Sequence, residues 1–132
     1  MRRTKIDFGT VRKIALLLPN VEESTTYGSP ALKVRGKLLA CIPTHRSAEP
    51  GSLAVRIDFD QRAELLATAP DVYYVKDHYV NYPAVLVRLS RIHPDALQDL
   101  LAMSWRFVTA KTQGSKRPIL KRRQPDRVIA PD

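Results

Sequence analysis

The sequence predicts an α+β domain in which an antiparallel sheet carries the N-terminal and C-terminal helices on one face. Three observations lead there. Residues 53–59 and 84–89 alternate at period two, the signature of strands whose two faces differ. The strand-like runs follow one another too closely for parallel crossovers, which take a dozen or more residues. Apolar residues at clear helical spacing occur towards the two ends of the chain, with one short capped helix between them.

The elements follow in order. Residues 8–18 read as an amphipathic helix, with Val11, Ile14, Ala15 and Leu18 on one side and Arg12 and Lys13 off it. Asp7 or Thr10 can cap its start, and Pro19-Asn20 stops it. Residues 24–27 suit a short strand, and Gly28-Ser29-Pro30 reads as a turn, Pro30 holding Ser29 extended. Residues 31–35 and 37–42 form two β runs around Gly36, a hairpin. The polar segment 43–51 is a loop whose length marks it as mobile or functional. Leu53, Val55, Ile57 and Phe59 then alternate with Ala54, Arg56 and Asp58. Asp58, with Gln61 three residues later, opens a short helix through Ala69 that Pro70 ends. Residues 72–76 give one more β run. Pro83, which has no backbone donor, marks the start of the strand over 84–89. Pro94 opens the last helix, with Leu97, Leu100, Leu101, Ser104, Trp105 and Val108 on one stripe, ending near Lys111.

Length and composition bound the function. A chain of 132 residues makes one domain able to bury roughly two thirds of its unfolded surface, so residues 1–111 suffice for the fold. No apolar run approaches the roughly 20 residues of a membrane span, and the charged start is not followed by the apolar core of a secretory signal. The single cysteine, Cys41, cannot form an internal disulfide and fits a reducing cytoplasm, where it reads as a small buried hydrophobe. Charge is the strongest signal: 22 Lys and Arg against 13 Asp and Glu, a formal +9, draw the protein towards polyanions. Residues 111–132 hold seven of those basic residues against two acidic ones and so carry more than half of the net charge; all but Lys111 lie on a basic, flexible-looking tail over 112–132 that contains Lys121, Arg122 and Arg123.

Two sets of candidate site residues emerge. If Leu32 and Val34 point into the core, Lys33 and Arg35 point away; Arg56 and Arg88 follow by the same alternation, and Lys37 extends the set across the hairpin. Together with Lys121, Arg122 and Arg123 they make a candidate surface for DNA or another polyanion, the competing reading being an ordinary solvated sheet face. The second set is Asp77, His78, Tyr79 and Tyr82, where an anion site or acid–base group is weighed against a loop held by hydrogen bonds and aromatic packing. Adjacent residues on an extended segment point to opposite sides, so Asp77 and His78 need not meet. His45, His78 and His93 are far apart in sequence, and there is no phosphate loop, metal-ligand motif or nucleophile–base pair. No catalytic residue, cofactor or metal is therefore assigned.

Four segments carry a family resemblance. They are residues 27–37 (Tyr27-Gly28-Ser29-Pro30 onward), Val55-Arg56-Ile57-Asp58, residues 73–79 with 82–87, and Trp105-Arg106-Phe107-Val108. In that order and spacing the chain resembles the MmcQ/YjbR family over roughly residues 6–111. The resemblance implies a fold like that of the bacterial frataxin homologue CyaY, with two helices against an antiparallel sheet. It also implies the DNA-binding role commonly assigned to the family from a double-wing arrangement of hairpins, and it supplies no catalytic set. The leading expectation is thus a non-enzymatic nucleic-acid-binding domain. The alternative is a small-molecule or protein-interaction module with an anion site near His78, Tyr79, Tyr82 and Arg88.

Overall fold

A computed structural model describes residues 6–110; Lys121, Arg122 and Arg123 lie outside them. The elements are α1 (Phe8–Ala15), β1 (Val21–Thr26), β2 (Ser29–Val34), β3 (Lys37–Cys41), β4 (Ser52–Arg56), α2 (Phe59–Thr68), β5 (Tyr73–Tyr74), β6 (Ala84–Arg88) and α3 (Pro94–Thr109). The six strands form one antiparallel sheet in the order β1-β2-β3-β4-β6-β5. This is the α+β architecture that the alternation and the short connections predict.

Local chemistry sets the boundaries. The Asp7 carboxylate accepts the Thr10 backbone N–H at 3.1 Å and caps α1. The helix stops before residue 18 because Leu17 and Leu18 bond back three residues, to Ile14 and Ala15, tightening the chain into Pro19. β1 starts earlier than expected, at Val21, since pairing with β2 reaches Val21↔Val34 even though Glu22 and Glu23 hide the alternation. Both hairpin turns are two residues long with positive φ throughout: Tyr27 and Gly28 at 51° and 78°, Arg35 and Gly36 at 52° and 81°. Such mirror-image turns match the twist of the strands they join, and glycine is needed at the second position. Asp58 accepts the Gln61 N–H at 2.7 Å and caps α2 as expected.

One face of the sheet holds the main core. Leu32, Val34, Leu39, Leu53, Val55, Val85 and Val87 pack there against Val11 and Ala15 of α1 and Leu97, Leu100, Leu101 and Val108 of α3. Ser104, buried in that layer, donates to the Leu39 carbonyl at 3.2 Å, and Trp105 donates its indole N–H to the Pro19 carbonyl at 2.8 Å, tying α3 to the end of α1. The other face holds a smaller buried cluster. Ala31, Cys41, Ala54, Tyr74 and Leu86 are buried there under Leu38, Ala48 and Tyr79. Two loops, 42–51 and 75–83, cover this face in part.

Candidate functional site

The covered part of the second face contains a cavity of about 340 Å³. Its size follows from the strands beneath: Cys41, Ala54 and Ala84 present short side chains, so the sheet makes a floor without filling the space above it. Leu38, Ile42 and Pro43 add apolar wall, and Thr26 and Tyr27 border it from the first hairpin. The remaining lining comes from the two loops, with Thr44 and His45 on one and His78, Tyr79 and Tyr82 on the other, and from Arg56 at the end of β4.

The loop carrying His78 is shaped by a 3-10 turn over Asp77–Tyr79, where the sequence suggested extended chain. That turn brings His78 onto His45, with ring centres 3.7 Å apart and planes 11° from parallel, while the Tyr79 ring meets His78 edge-on. His45 Nδ1 accepts the Ser47 backbone N–H at 3.1 Å and lies 2.8 Å from the Ser47 hydroxyl, so the neutral ring carries its proton on Nε2. Tyr79 sits deeper. Burial, with smaller contributions from Cys41 and Tyr74, pushes its phenol above the ordinary tyrosine range, and burial likewise raises the Cys41 thiol. Both therefore face the cavity protonated.

Arg62 of α2 holds the loop from outside. Its Nη1 donates to the carbonyls of Tyr79, Tyr82 and Ala84 at 3.2, 3.0 and 3.2 Å, and its Nη2 to Val80 at 2.9 Å. The guanidinium also lies 4.7 Å from the Phe59 ring centre. Burial lowers its pKa, yet a guanidinium is too basic to lose its proton, so a fixed charge is solvated by four carbonyls. The loop over 43–51 is latched separately. Glu49 takes two bonds from Arg88, at 2.9 Å each, and the Tyr74 hydroxyl accepts the Glu49 N–H at 2.7 Å and lies 2.5 Å from the Ser52 hydroxyl. The Arg88 hydrogen bond holds the Glu49 carboxyl below the usual carboxylate range.

Arg56 is the one lining residue with a fixed charge, and no carboxylate lines the cavity among the described residues. Its Nε donates to the Pro83 carbonyl at 3.1 Å. Its guanidinium carbon lies 4.8 Å from the Tyr82 ring centre and 5.4 Å from that of Phe107. Among the described residues no acidic side chain pairs with it, and its two Nη groups have no hydrogen-bond acceptor.

The fold and the sequence have recognisable relatives. The YjbR family model matches residues 16–107. The chain belongs to the YjbR family. Uncharacterized proteins of Mycobacterium tuberculosis and Mycobacterium bovis are each 38% identical to it over 66 residues, 47% of this chain and 51% of theirs. The chain thus spans about half the length of the curated relatives it matches. The crystal structure of the Deinococcus radiodurans protein DR2400, which carries a DUF419 domain, has the same fold, with a TM-score of 0.66 at 21% identity over 84% of each chain.

In this YjbR-family chain the expected site residues separate into groups. His78, Tyr79 and Tyr82 line the cavity together, whereas Asp77 is exposed and outside the lining. Arg88, expected beside them, is drawn away to Glu49 and to the carbonyls of Pro70 and Asp71, and Arg56 stands at the cavity instead. Arg56 and Arg88 share a sheet face but occupy opposite ends of the β4–β6 pair, opposite Ala84 and Ser52, roughly 13 Å apart by strand rise. Lys33 is half-buried across the strand from Glu22, while Arg35 and Lys37 are exposed at the second hairpin turn. His45, Glu49 and Arg62 were not among the sequence candidates. The loop length at 43–51 was the one signal for the first two; Arg62 has none, since on an amphipathic helix it resembles any solvent-facing arginine.

Proposed function

We propose that this domain binds a small molecule bearing an anionic group, in the cavity between the two loops on the small-residue face of the sheet. The observation that carries this reading is Arg56: a fixed positive charge on the cavity wall whose two Nη groups meet no acceptor among the described residues, in a lining that holds no carboxylate among them. Ligand sites are concave, mostly apolar and supplied with a few oriented polar groups, and a cavity of about 340 Å³ is within their range. Stacked or hydrogen-bonded side chains already fix His45, His78 and Arg56, so little ordering opposes binding. The test is an amide and side-chain NMR titration of the full chain with a library of small organic anions. The expected result is shifts concentrated at Arg56, His78, Tyr79 and Tyr82; a library that moves none of them sinks the reading.

Nucleic-acid binding is the second reading, favoured by the net charge of +9 and by the exposed Arg35 and Lys37 at a projecting turn. It predicts duplex binding that weakens with salt by about 0.9 log units per log unit of salt for each phosphate neutralised. Charge reversal at both positions, Arg35→Glu with Lys37→Glu, should lower that slope. An unchanged slope removes the hairpin from any such interface.

A further inference from the structure

Three features of the cavity constrain the chemistry of its ligand, and all three rest on the cavity being a binding site. The first is charge. Arg56 supplies one fixed positive charge, and the neighbouring arginines are engaged elsewhere: Arg88 with Glu49, Arg62 with four carbonyls. One guanidinium balances one negative charge. A phosphate monoester carries about −1.5 to −2 near neutral pH, more than this one fixed charge offsets.

The second constraint is geometry. Arg56 lies against the rings of Tyr82 and Phe107 and is held through Nε by Pro83. A guanidinium fixed in this way by its faces and its Nε presents its Nη edge, which has no acceptor among the described residues, as the recognition surface, the fork that matches a planar carboxylate. The third constraint is the wall itself. Tyr79, Tyr82, His45 and His78 surround a floor of Ala54 and Ala84, so the body of the ligand meets flat π surfaces and small aliphatic groups, with the Thr26 and Thr44 hydroxyls and the polar atoms of the rings placed around them. That environment suits a flat ring, which can lie against those surfaces. We propose that the cavity takes a planar aromatic monocarboxylate, with its carboxylate on the Arg56 fork and its ring between the floor and the Tyr79, Tyr82 and histidine walls.

The experiment is isothermal titration calorimetry on the full chain with four probes: 1-naphthoate, 1-naphthalenemethanol, 1-naphthyl phosphate and octanoate. Naphthoate is expected to bind at least about tenfold more tightly than each of the others, the difference a charge-assisted bidentate contact supplies. In Arg56→Met, checked for folding by circular dichroism, naphthoate should fall to the affinity of the alcohol. Arg56→Lys, which keeps charge but loses the fork, should recover only part of the difference. Ala84→Leu, which fills the floor and leaves Arg56 in place, should remove naphthoate binding. Tighter binding of the phosphate or of octanoate overturns the proposed ligand class while leaving the cavity as a binding site. Absence of heat and of NMR shifts at His78 and Tyr82 with all four probes overturns the class and removes the support for the cavity as well. Undiminished naphthoate binding by folded Arg56→Met overturns the role given to the fork.

Discussion

The two faces of the sheet are built from the same strands with different side chains. Along β4, Leu53 and Val55 point to the helices while Ser52 and Ala54 point away; along β6, Val85 and Val87 oppose Ala84 and Leu86. Branched aliphatics fill the space under α1 and α3, and the packed helices leave no room for anything else. The second face has mostly short side chains under two loops, and a loop tied down at a few points cannot follow a surface as closely as a helix does. The cavity is the result. Period two says that a strand has two faces; the sizes of the residues on each say which is sealed and which is kept open.

The largest test of that contrast is on the sealed face. Leu100 is 1% exposed between α3 and the sheet. Leu100→Ala should cost about 2–5 kcal/mol, because the helix-packed layer cannot collapse into the space, and a denaturant titration with unchanged slope measures it. A loss below about 1 kcal/mol would mean that this face too is loosely filled.

Next in size is the clamp on the open face. Arg62→Met removes four hydrogen bonds to the Tyr79, Val80, Tyr82 and Ala84 carbonyls while keeping the aliphatic stem. Bonds to a charged donor are individually worth more than neutral ones, but these are partly solvent-exposed, so the expected loss is about 2 kcal/mol. Hydrogen exchange separates this from a general destabilisation: amides over 77–82 should exchange faster at conditions where those of α3 do not. Uniform acceleration would show that the loop is no independent unit.

These two regions were unequally legible in the sequence. The sealed face could be read because Leu53, Val55, Val85 and Val87 on strands and Leu97, Leu100 and Leu101 on a helix repeat at the periods of their elements, and local spacing is what a sequence displays. The basic alternation was legible in the same way, and Lys33, Arg56 and Arg88 do leave the core face. What each then meets is not local. Glu49 is 39 residues from Arg88, and the 3-10 turn that stacks His78 on His45 has no signature in residues 77–79. The extended geometry expected there ignored that Tyr79 and Tyr82 carbonyls could be gathered by a single arginine about 20 residues earlier. The strand order β4-β6-β5 was likewise hidden, because antiparallel preference says how neighbours run and not which strands are neighbours.

A smaller effect on stability, but a decisive one for the open face, is expected from Ala54→Leu. On the helix side an added isopropyl group would overpack; here it projects from a floor position into the cavity. The predicted change in unfolding free energy is within about 1 kcal/mol of zero, with ligand binding in the cavity abolished. Destabilisation as large as that of Leu100→Ala would mean that the space closes in solution and that the two faces are alike after all.

The smallest effect belongs to the latch between Glu49 and Arg88, and it carries a definite sign with pH. The Glu49 carboxyl is held below its ordinary value by the Arg88 hydrogen bond, so the folded state binds that proton more weakly than the unfolded state does. The latch is therefore fully formed above the ordinary glutamate range, about pH 4.3, and is lost as pH falls through the lower folded value. Both groups are partly solvent-accessible, so screening keeps its contribution small and high salt should reduce it further. Acidification should loosen the 43–51 loop before the helix-packed core, seen as lower protection of the Ala48 and Glu49 amides relative to their intrinsic exchange rate at each pH, and loss of the His45–His78 ring-current shifts. Glu49→Gln should show the loosened loop already at neutral pH and remove that acid-dependent step. If the variant and the parent respond to acid alike, the loop is held by Tyr74, whose hydroxyl accepts the Glu49 amide whatever the side chain does, and the ion pair is incidental to the shape of the cavity.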